Sequence, residues 1–268
     1  MGQTRRLMVV TAVVAVFVAL SPAVAQTPQV ALLGPSVNQL AEGRVYDIEW
    51  TSQGIETVTL EAEGNLTSLP DSPRGMFNVT IAEKIPADQN KFRWRVPFID
   101  STRFVLKTKG YDSRGQLVAQ DVKLYHYRVE ILRTRTADGI YVDLRNPARQ
   151  RLYRLKNNIV THAYLTSGSR SGTFYTKSQD SAQPHDHVGV FRVTQKYPLY
   201  WSREYSVWMT HAMRFWKGHF IHGTYPSEYS KLGTPASSGC VRLHRTDARE
   251  LFEISPIGTR VEIFGNLS

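Results

Sequence analysis

The segment Ser237-Ser238-Gly239-Cys240-Val241-Arg242 contains the only cysteine of this 268-residue chain, and His222-Gly223 begins 18 residues before that cysteine. A single thiol cannot form an intramolecular disulfide. A cysteine that follows a glycine-containing turn and has a histidine in reach is a candidate nucleophile. The alternative is a small buried hydrophobic residue, because free cysteines are among the most buried side chains. The flanking residues favour the nucleophile.

The amino terminus predicts a secretory signal peptide over residues 1–25. The basic pair Arg5-Arg6 precedes an apolar run over residues 7–20, and Ala23-Val24-Ala25 has the small residues of a cleavage site. The apolar run is too short for a stable membrane span. We therefore expect cleavage after Ala25, export to the periplasm, and no integral membrane segment in the mature chain.

The mature chain is basic. Removing Arg5 and Arg6 from the total leaves 31 basic and 23 acidic residues, which is a net charge of +8. This excess suits an acidic polymer or an anionic surface as a partner, although a basic surface that only serves solubility would give the same count. An exported protein is not expected to bind nucleic acid.

Residues 26–127 predict a β-sandwich, because apolar and polar residues alternate in many short segments. Clear examples are residues 46–50, 58–62 and 92–96, and turn signals such as Pro70 to Gly75 separate the segments. The stretch Glu42 to Trp50 loosely resembles immunoglobulin-like envelope modules. No Pro/Gly-rich linker follows, so we place the domain limit near residue 128 and expect the two halves to be in contact.

Residues 128–268 predict a mixed β domain with one short helix. His219-Phe220-Ile221-His222 reads as a strand that ends at the histidine. Thr246 is the predicted N-cap of the helix, whose apolar face carries Ala248, Leu251 and Phe252. The predicted fold class of the whole chain is therefore mainly β.

The second half resembles the L,D-transpeptidase catalytic domain, also called the YkuD domain. The resemblance rests on the strand Ile140 to Leu144 with the hairpin pattern after it, Met213-Arg214-Phe215, Ile221-His222-Gly223-Thr224 and residues 238–243, and the closing residues 258–263 also fit. The family usually has histidine where this chain has Ser238, in the sequence Ser-Ser-Gly-Cys. Because that position is expected to contribute mainly a backbone N–H, the change concerns substrate fit more than the reaction.

The chemistry and the resemblance together imply roles for the motif residues. His222 would take the thiol proton and stabilise a Cys240 thiolate, with the Gly223 carbonyl holding the imidazole in place of a triad carboxylate. The backbone N–H groups of Ser238, Gly239 and Cys240 could receive the oxyanion. Arg242 could bind a substrate carboxylate, or it could form a structural ion pair.

Aromatic residues are frequent between positions 197 and 216, where relatives can cap the active site. Tyr200 and Trp201 are the predicted exposed members of the cleft. Met213-Arg214-Phe215 is predicted to line its floor. Ordinary packing is the alternative for all of them.

The resemblance implies that the substrate is a peptidoglycan stem peptide. Cys240 would attack the carbonyl of the third residue, expel D-alanine and pass the acyl group to an amine, either of another stem (a 3→3 crosslink) or of an outer-membrane protein or lipoprotein. Carbapenems would acylate the same thiol. The alternatives are a hydrolase (L,D-carboxypeptidase or amidase) on the same scaffold and a non-catalytic cell-wall-binding protein.

We expect no cofactor and no metal. A zinc site is the rival interpretation of the histidines, namely His185-Asp186-His187, His211, His219 and His222. The chain has no H-E-x-x-H motif, and His219 and His222 lie three positions apart on one strand, which places them on opposite faces.

Overall fold

A computed structural model describes residues 27–65, 76–170, 173–174, 185–186 and 189–265. Strands dominate these residues, and their only α-helix, α1, spans Arg245–Ile254. The prediction of a mainly β fold with a short helix is confirmed. The predicted signal peptide and the predicted turn at Pro70 to Gly75 lie outside the described residues.

The described residues of the first half form two β-sheets. Their strands are β1 (Gln29–Gly34), β2 (Gln39–Ala41), β3 (Val45–Gln53), β4 (Thr57–Asn65), β5 (Met76–Pro86), β6 (Lys91–Arg95), β7 (Arg103–Tyr111) and β8 (Leu117–Arg128). One sheet has the order β1-β3-β6 and the other the order β2-β8-β7-β4-β5. Among the described strands of this half, the pairings are antiparallel except that of β2 with β8.

The inner faces of these two sheets share one apolar core. In β3, Ile48 and Trp50 are buried and alternate with more exposed residues, as the sequence pattern predicted. The indole N–H of Trp50 donates to the Ala87 carbonyl at 3.0 Å, so that burial leaves no unsatisfied donor there. The observed architecture is a two-sheet sandwich, and its closer assignment as immunoglobulin-like stays a prediction.

The two halves of the chain are in contact. The buried Arg128 guanidinium donates to the Leu132 carbonyl at 2.7 Å and to Asn158 Oδ1 at 2.9 Å. Arg151 binds the carboxylate of Asp100 through two nitrogens, with Nε–Oδ1 at 2.8 Å and Nη2–Oδ2 at 2.6 Å. Tyr153 belongs to the same apolar core as the sandwich. Packing is therefore continuous across the predicted domain limit.

In the second half, the residues that the structure describes form two larger sheets and one two-stranded sheet. The strands of this half are β9 (Gly139–Asp143), β10 (Arg151–Lys156), β11 (Ile159–Leu165), β12 (Thr173–Phe174), β13 (His185–Asp186), β14 (Gly189–Arg192), β15 (Gln195–Ser202), β16 (Val207–Trp216), β17 (His219–Gly223), β18 (Val241–Leu243) and β19 (Arg260–Phe264). The strand orders are β11-β10-β9-β19-β14, β15-β16-β17-β18 and β12-β13.

Helix α1 joins the two larger sheets in a second apolar core. Val142 of β9, Ile221 of β17 and Leu251 of α1 are fully buried members of this core. The helix begins two residues earlier than predicted, because His244 is the N-cap and its Nδ1 accepts the Thr246 N–H at 3.3 Å. The prediction of Thr246 as N-cap is wrong, since an imidazole nitrogen performs the capping that a hydroxyl was expected to perform.

Candidate active site

The candidate site is built on the parallel neighbours β17 and β18. Their register pairs Ile221 with Val241 and His222 with Arg242. Residues opposite each other in a parallel pair have side chains on the same face of the sheet. The same register places Cys240 opposite Phe220, two residues before Arg242 and His222. Because side chains two residues apart on a strand share a face, Cys240 lies on the face that carries His222. Cys240 is half-buried and packs with Phe220 in a small apolar cluster. The thiol and the imidazole thus share one face of adjacent strands.

The loop before Cys240 is fixed by backbone hydrogen bonds. Gly239 has φ of +139°, in the region that favours glycine. Ser237 N–H donates to the Gly168 carbonyl at 2.9 Å, and the Arg242 N–H donates to the Ser167 carbonyl at 2.9 Å. These bonds secure the segment on both sides of the cysteine.

One predicted oxyanion donor is already engaged. The Gly239 N–H donates to Ser237 Oγ at 3.1 Å, so in this state it does not point to a substrate oxygen. The predicted role of the Gly239 N–H is therefore corrected to the support of its own turn. The N–H groups of Ser238 and Cys240 stay predicted oxyanion donors.

His222 is oriented by the carbonyl that the resemblance implies. Its Nδ1 lies 3.0 Å from the Gly223 oxygen, and its side chain is buried. If Nδ1–H donates to this carbonyl, Nε2 is the nitrogen that can accept a proton. Among the described contacts, the imidazole and the thiol are not hydrogen-bonded to each other, as is common before substrate binds.

Gly223 is packed too tightly for any other residue. A Cβ at this position would lie 2.4 Å from Thr210 Oγ1 and 3.1 Å from the Arg245 Cα. The close approach of β16 and α1 therefore requires glycine beside the histidine, which explains the His-Gly pair in structural terms.

Burial favours the neutral form of both reactive groups. It lowers the pKa of His222 to about 4, a shift that the Gly223 hydrogen bond opposes and the nearby Arg242 charge increases. It raises the pKa of the Cys240 thiol to about 11, although a hydrogen bond from the Phe220 backbone and the Arg242 charge both act in the opposite direction. Both shifts favour the neutral thiol and the neutral imidazole, and the thiolate–imidazolium pair expected from the sequence stays a prediction.

Arg242 lies opposite His222 and forms an ion pair. Its Nη1 is 3.1 Å from Glu228 Oε2, and both side chains are about three-quarters buried. Of the two alternatives derived from the sequence, the ion pair is present. A role for Arg242 in binding a substrate carboxylate stays a prediction.

The Met213-Arg214-Phe215 segment divides between the two faces of its sheet. Met213 and Phe215 are buried in the core shared with Ile221 and Val241, so their predicted place on the cleft floor is wrong. Arg214 pairs with Phe220, and its guanidinium lies 5.2 Å from the centre of that ring. Only Arg214 reaches the face of Cys240.

Tyr200 and Trp201 also separate. The half-buried Tyr200 ring lies 4.7 Å from the Phe220 ring and packs with the cluster that includes Cys240. Trp201, the next residue along β15, is exposed and stacks on Trp208 at 5.1 Å. Because successive side chains of a strand point to opposite faces, the predicted cleft position is wrong for Trp201.

Two residues beside the thiol were not among the predicted site residues. The Tyr205 hydroxyl is hydrogen-bonded to the Glu204 carboxylate and to the Ser238 hydroxyl, and the charge of Glu204 is the smallest of the influences that raise the pKa of Cys240. The sequence contains no signal for this contact beyond the aromatic character of the region. It depends on how the turn between β15 and β16 lies against the nucleophile loop.

The described residues provide neither a metal cluster nor a membrane span. In the part of the chain that the structure covers, no three His, Cys, Asp or Glu side chains converge as a metal site would require. His187 and the side chains of His185 and Asp186 lie outside that part. The helical segments of the described residues are all too short or too polar to cross a bilayer.

Comparison with known proteins gives a consistent result. Residues 138–263 match the family model of YkuD, the L,D-transpeptidase catalytic domain. A predicted L,D-transpeptidase of Fuscovulum blasticum, encoded in an ATP synthase subunits region, is 42% identical over 55 residues, which cover 20% of this chain and 28% of that protein. The predicted L,D-transpeptidase YkuD of Bacillus licheniformis is 48% identical over 48 residues, which cover 18% of this chain and 28% of that protein.

A solved L,D-transpeptidase of Mycobacterium smegmatis aligns over 88% of this chain and 99% of its own, with 11% identity and a TM-score of 0.37. The matches to the two curated relatives from Fuscovulum blasticum and Bacillus licheniformis cover 28% of the length of each relative. The family match covers the strands and loops that carry His222 and Cys240. Residues 138–263 therefore belong to the YkuD family of L,D-transpeptidase catalytic domains.

Proposed function

We propose that this protein is a cysteine transpeptidase of peptidoglycan. The observation that carries the proposal is the placement of Cys240 and His222 on one face of adjacent parallel strands, with His222 Nδ1 held by the Gly223 carbonyl. A thiol with a neighbouring oriented base is the arrangement that acyl transfer through a thioester requires. The family match of residues 138–263 supports the same reaction class.

In the proposed acylation step the base acts during the attack. Because burial favours the neutral thiol and the neutral imidazole, His222 Nε2 takes the thiol proton as Cys240 Sγ bonds to the carbonyl carbon of the third stem residue. The C–N bond to the terminal D-alanine then breaks. The imidazolium returns its proton to the leaving amine, and a thioester remains on Cys240.

The proposed oxyanion donors are the backbone N–H groups of Ser238 and Cys240. They flank Gly239, whose own N–H is engaged with Ser237. Serine at position 238 supplies the same backbone N–H that a histidine would supply there. Arg242 is a proposed contact for a substrate carboxylate, through the donors that its ion pair with Glu228 does not use.

The proposed acceptor is an amine. A second stem peptide would give a 3→3 crosslink, and a lysine of an outer-membrane protein or lipoprotein would give a tether. We propose that residues 1–25 direct the chain to the periplasm, where these acceptors are found. The net charge of +8 expected for the mature chain favours approach to an acidic wall polymer.

The test is a reaction of the purified mature protein with a disaccharide-tetrapeptide, followed by mass spectrometry of the products. We expect release of D-alanine and a crosslinked dimer, with neither product formed by Cys240→Ala. Trimmed monomers without dimer would replace the transferase by a hydrolase. Unchanged substrate would favour a non-catalytic wall-binding protein.

A further inference from the structure

Arg214 lies in a row of three residues that crosses the sheet at the thiol. The register places Phe220 of β17 opposite Arg214 of β16 and opposite Cys240, which directly precedes β18. Neighbouring strands are about 4.8 Å apart, so two strand spacings, roughly 10 Å, separate the Cα atoms of Arg214 and Cys240. Residues opposite each other share a face of the sheet. The Arg214 side chain therefore lies on the face that carries the thiol.

The Arg214 guanidinium lies over the middle member of this row. Its central carbon is 5.2 Å from the centre of the Phe220 ring, which is within the range of a cation–π contact. Phe220 is almost fully buried and packs with Cys240 and Tyr200 in one apolar cluster. The positive charge of Arg214 is thus held over the direct neighbour of the thiol, on the face that carries Cys240 and His222.

The same guanidinium has a donor without an acceptor. Its Nε is buried and has no hydrogen-bond partner. Among the residues that the structure describes, no carboxylate lies within ion-pair distance of Arg214, whereas the Arg242 guanidinium binds Glu228 at 3.1 Å. A donor that has lost water without gaining an acceptor costs free energy. An anion bound beside Cys240 would supply the missing acceptor.

We propose that Arg214 binds a substrate carboxylate next to the scissile bond and is a specificity-determining residue. The inference rests on the proposed function and deepens it. Arginine presents a planar set of N–H donors that matches a carboxylate. Because Phe220 separates it from the sulfur, the guanidinium would meet a group next to the attacked carbonyl rather than the carbonyl itself.

A stem peptide offers two carboxylates at this distance. One belongs to the terminal D-alanine, one residue beyond the attacked carbonyl. The other belongs to the side chain of the third residue, where that residue is diaminopimelate. The two sources share one chemistry, and donor analogues that lack one or the other separate them.

The first experiment probes the guanidinium without any catalysis. Cys240 is modified by two methanethiosulfonate reagents of similar size, one with a sulfonate group and one with a trimethylammonium group. Arg214→Gln should lower the rate ratio of the anionic to the cationic reagent about tenfold, because loss of the positive charge slows the first and speeds the second. Arg214→Lys keeps the charge and should keep most of the ratio. Arg114→Gln, at an exposed arginine between β7 and β8, is the matched control and should leave the ratio unchanged.

The second experiment measures kcat/KM for release of the terminal residue from three donors. They are a tetrapeptide with diaminopimelate at the third position, its C-terminal amide, and an analogue with lysine at the third position. The wild type should prefer the first donor over one of the other two by about tenfold, because a charge-assisted contact is lost. Arg214→Gln should abolish that preference, and Arg214→Lys should keep part of it. Each preference compares two donors on one enzyme, so the folded fraction of a variant does not affect it.

The results separate the two proposals. A preference lost only for the amide pair assigns Arg214 to the D-alanine carboxylate, and one lost only for the lysine pair assigns it to the third residue. An unchanged reagent ratio, or unchanged preferences for both pairs, overturns the role of Arg214 while the transpeptidase proposal stands. A wild type that cleaves none of the three donors overturns the proposed function and this inference with it.

Discussion

The two faces of the sheet β15-β16-β17-β18 differ in what they contain. One face carries Met213, Ile221 and Val241, which are fully buried in the core. The other carries Phe220, His222 and Cys240, of which His222 and Cys240 can each gain or lose a proton. The same strands supply both sets, one residue out of phase. Strand alternation thus places the core residues and the reactive residues on opposite faces. Substitutions on the core face should therefore lower stability, and substitutions on the other face should lower activity.

The largest effect is expected at the thiol. Cys240→Ser should lower the rate of acyl transfer at least about a thousandfold, because a serine hydroxyl is a far weaker nucleophile beside a neutral imidazole. The melting temperature should stay close to that of the wild type. Product formation and thermal unfolding measured on one preparation check both statements, and retained activity would show that the nucleophile lies elsewhere.

The opposite face should show the reverse behaviour. Met213→Ala removes a buried side chain and should lower the free energy of unfolding by about 2–5 kcal/mol. Activity per folded molecule should change much less than in Cys240→Ser. Denaturant unfolding checks the value, with Leu199→Ala as the control, because Leu199 is 53% exposed and its truncation should cost under about 0.5 kcal/mol. Equal losses in the two variants would contradict the face assignment.

A smaller effect concerns pH. The pKa of His222 is lowered to about 4, so the unfolded chain binds this proton before the folded one does as the pH falls. Stability from the neutral imidazole is present above the ordinary histidine pKa and is lost as the pH falls from about 6.5 towards 4. The free energy of unfolding should therefore drop by about 2 kcal/mol more between pH 7 and pH 5 in the wild type than in His222→Gln. Parallel pH curves for the two proteins would show that His222 is not buried as described.

The smallest effect is expected at the Arg242–Glu228 ion pair. About a quarter of each side chain is exposed to solvent, so Glu228→Gln should lower the free energy of unfolding by no more than about 1 kcal/mol. Chemical denaturation detects the change, and Glu253→Gln, at an exposed carboxylate on α1, is the control. A loss of several kcal/mol would mean that the pair is a major support of β18.

The sequence predicted the parts of the site that depend on local pattern. The His222 strand, the glycine turn before Cys240 and the sandwich alternation in β3 all follow from residue type and spacing. The assignment of Met213 and Phe215 to the cleft floor failed because successive side chains of β16 point to opposite faces, so the neighbours of Arg214 enter the core. A bulge in β16 decides which of the two faces each residue takes. His211 has φ of +51°, and the register shifts between Thr210 and Met213. An extra residue exchanges the two faces beyond it, and no periodicity shows where it occurs.

The contacts of Glu204 and Tyr205 could not be predicted for a different reason. They join a hairpin turn to a loop that is distant in the sequence. Such contacts follow from tertiary packing, which single-sequence patterns do not report. The preference of His222 and Cys240 for the neutral state likewise depends on burial, which residue spacing alone does not determine.

The central claim is that the Cys240 sulfur attacks an acyl carbonyl while His222 takes the thiol proton as the base. Its most direct test is incubation of the mature protein with a carbapenem, followed by intact mass and peptide mapping. We predict one covalent adduct on the peptide that contains Cys240, no adduct in Cys240→Ala, and much slower acylation in His222→Gln. An unmodified wild type, under conditions in which a known L,D-transpeptidase reacts, would contradict the account.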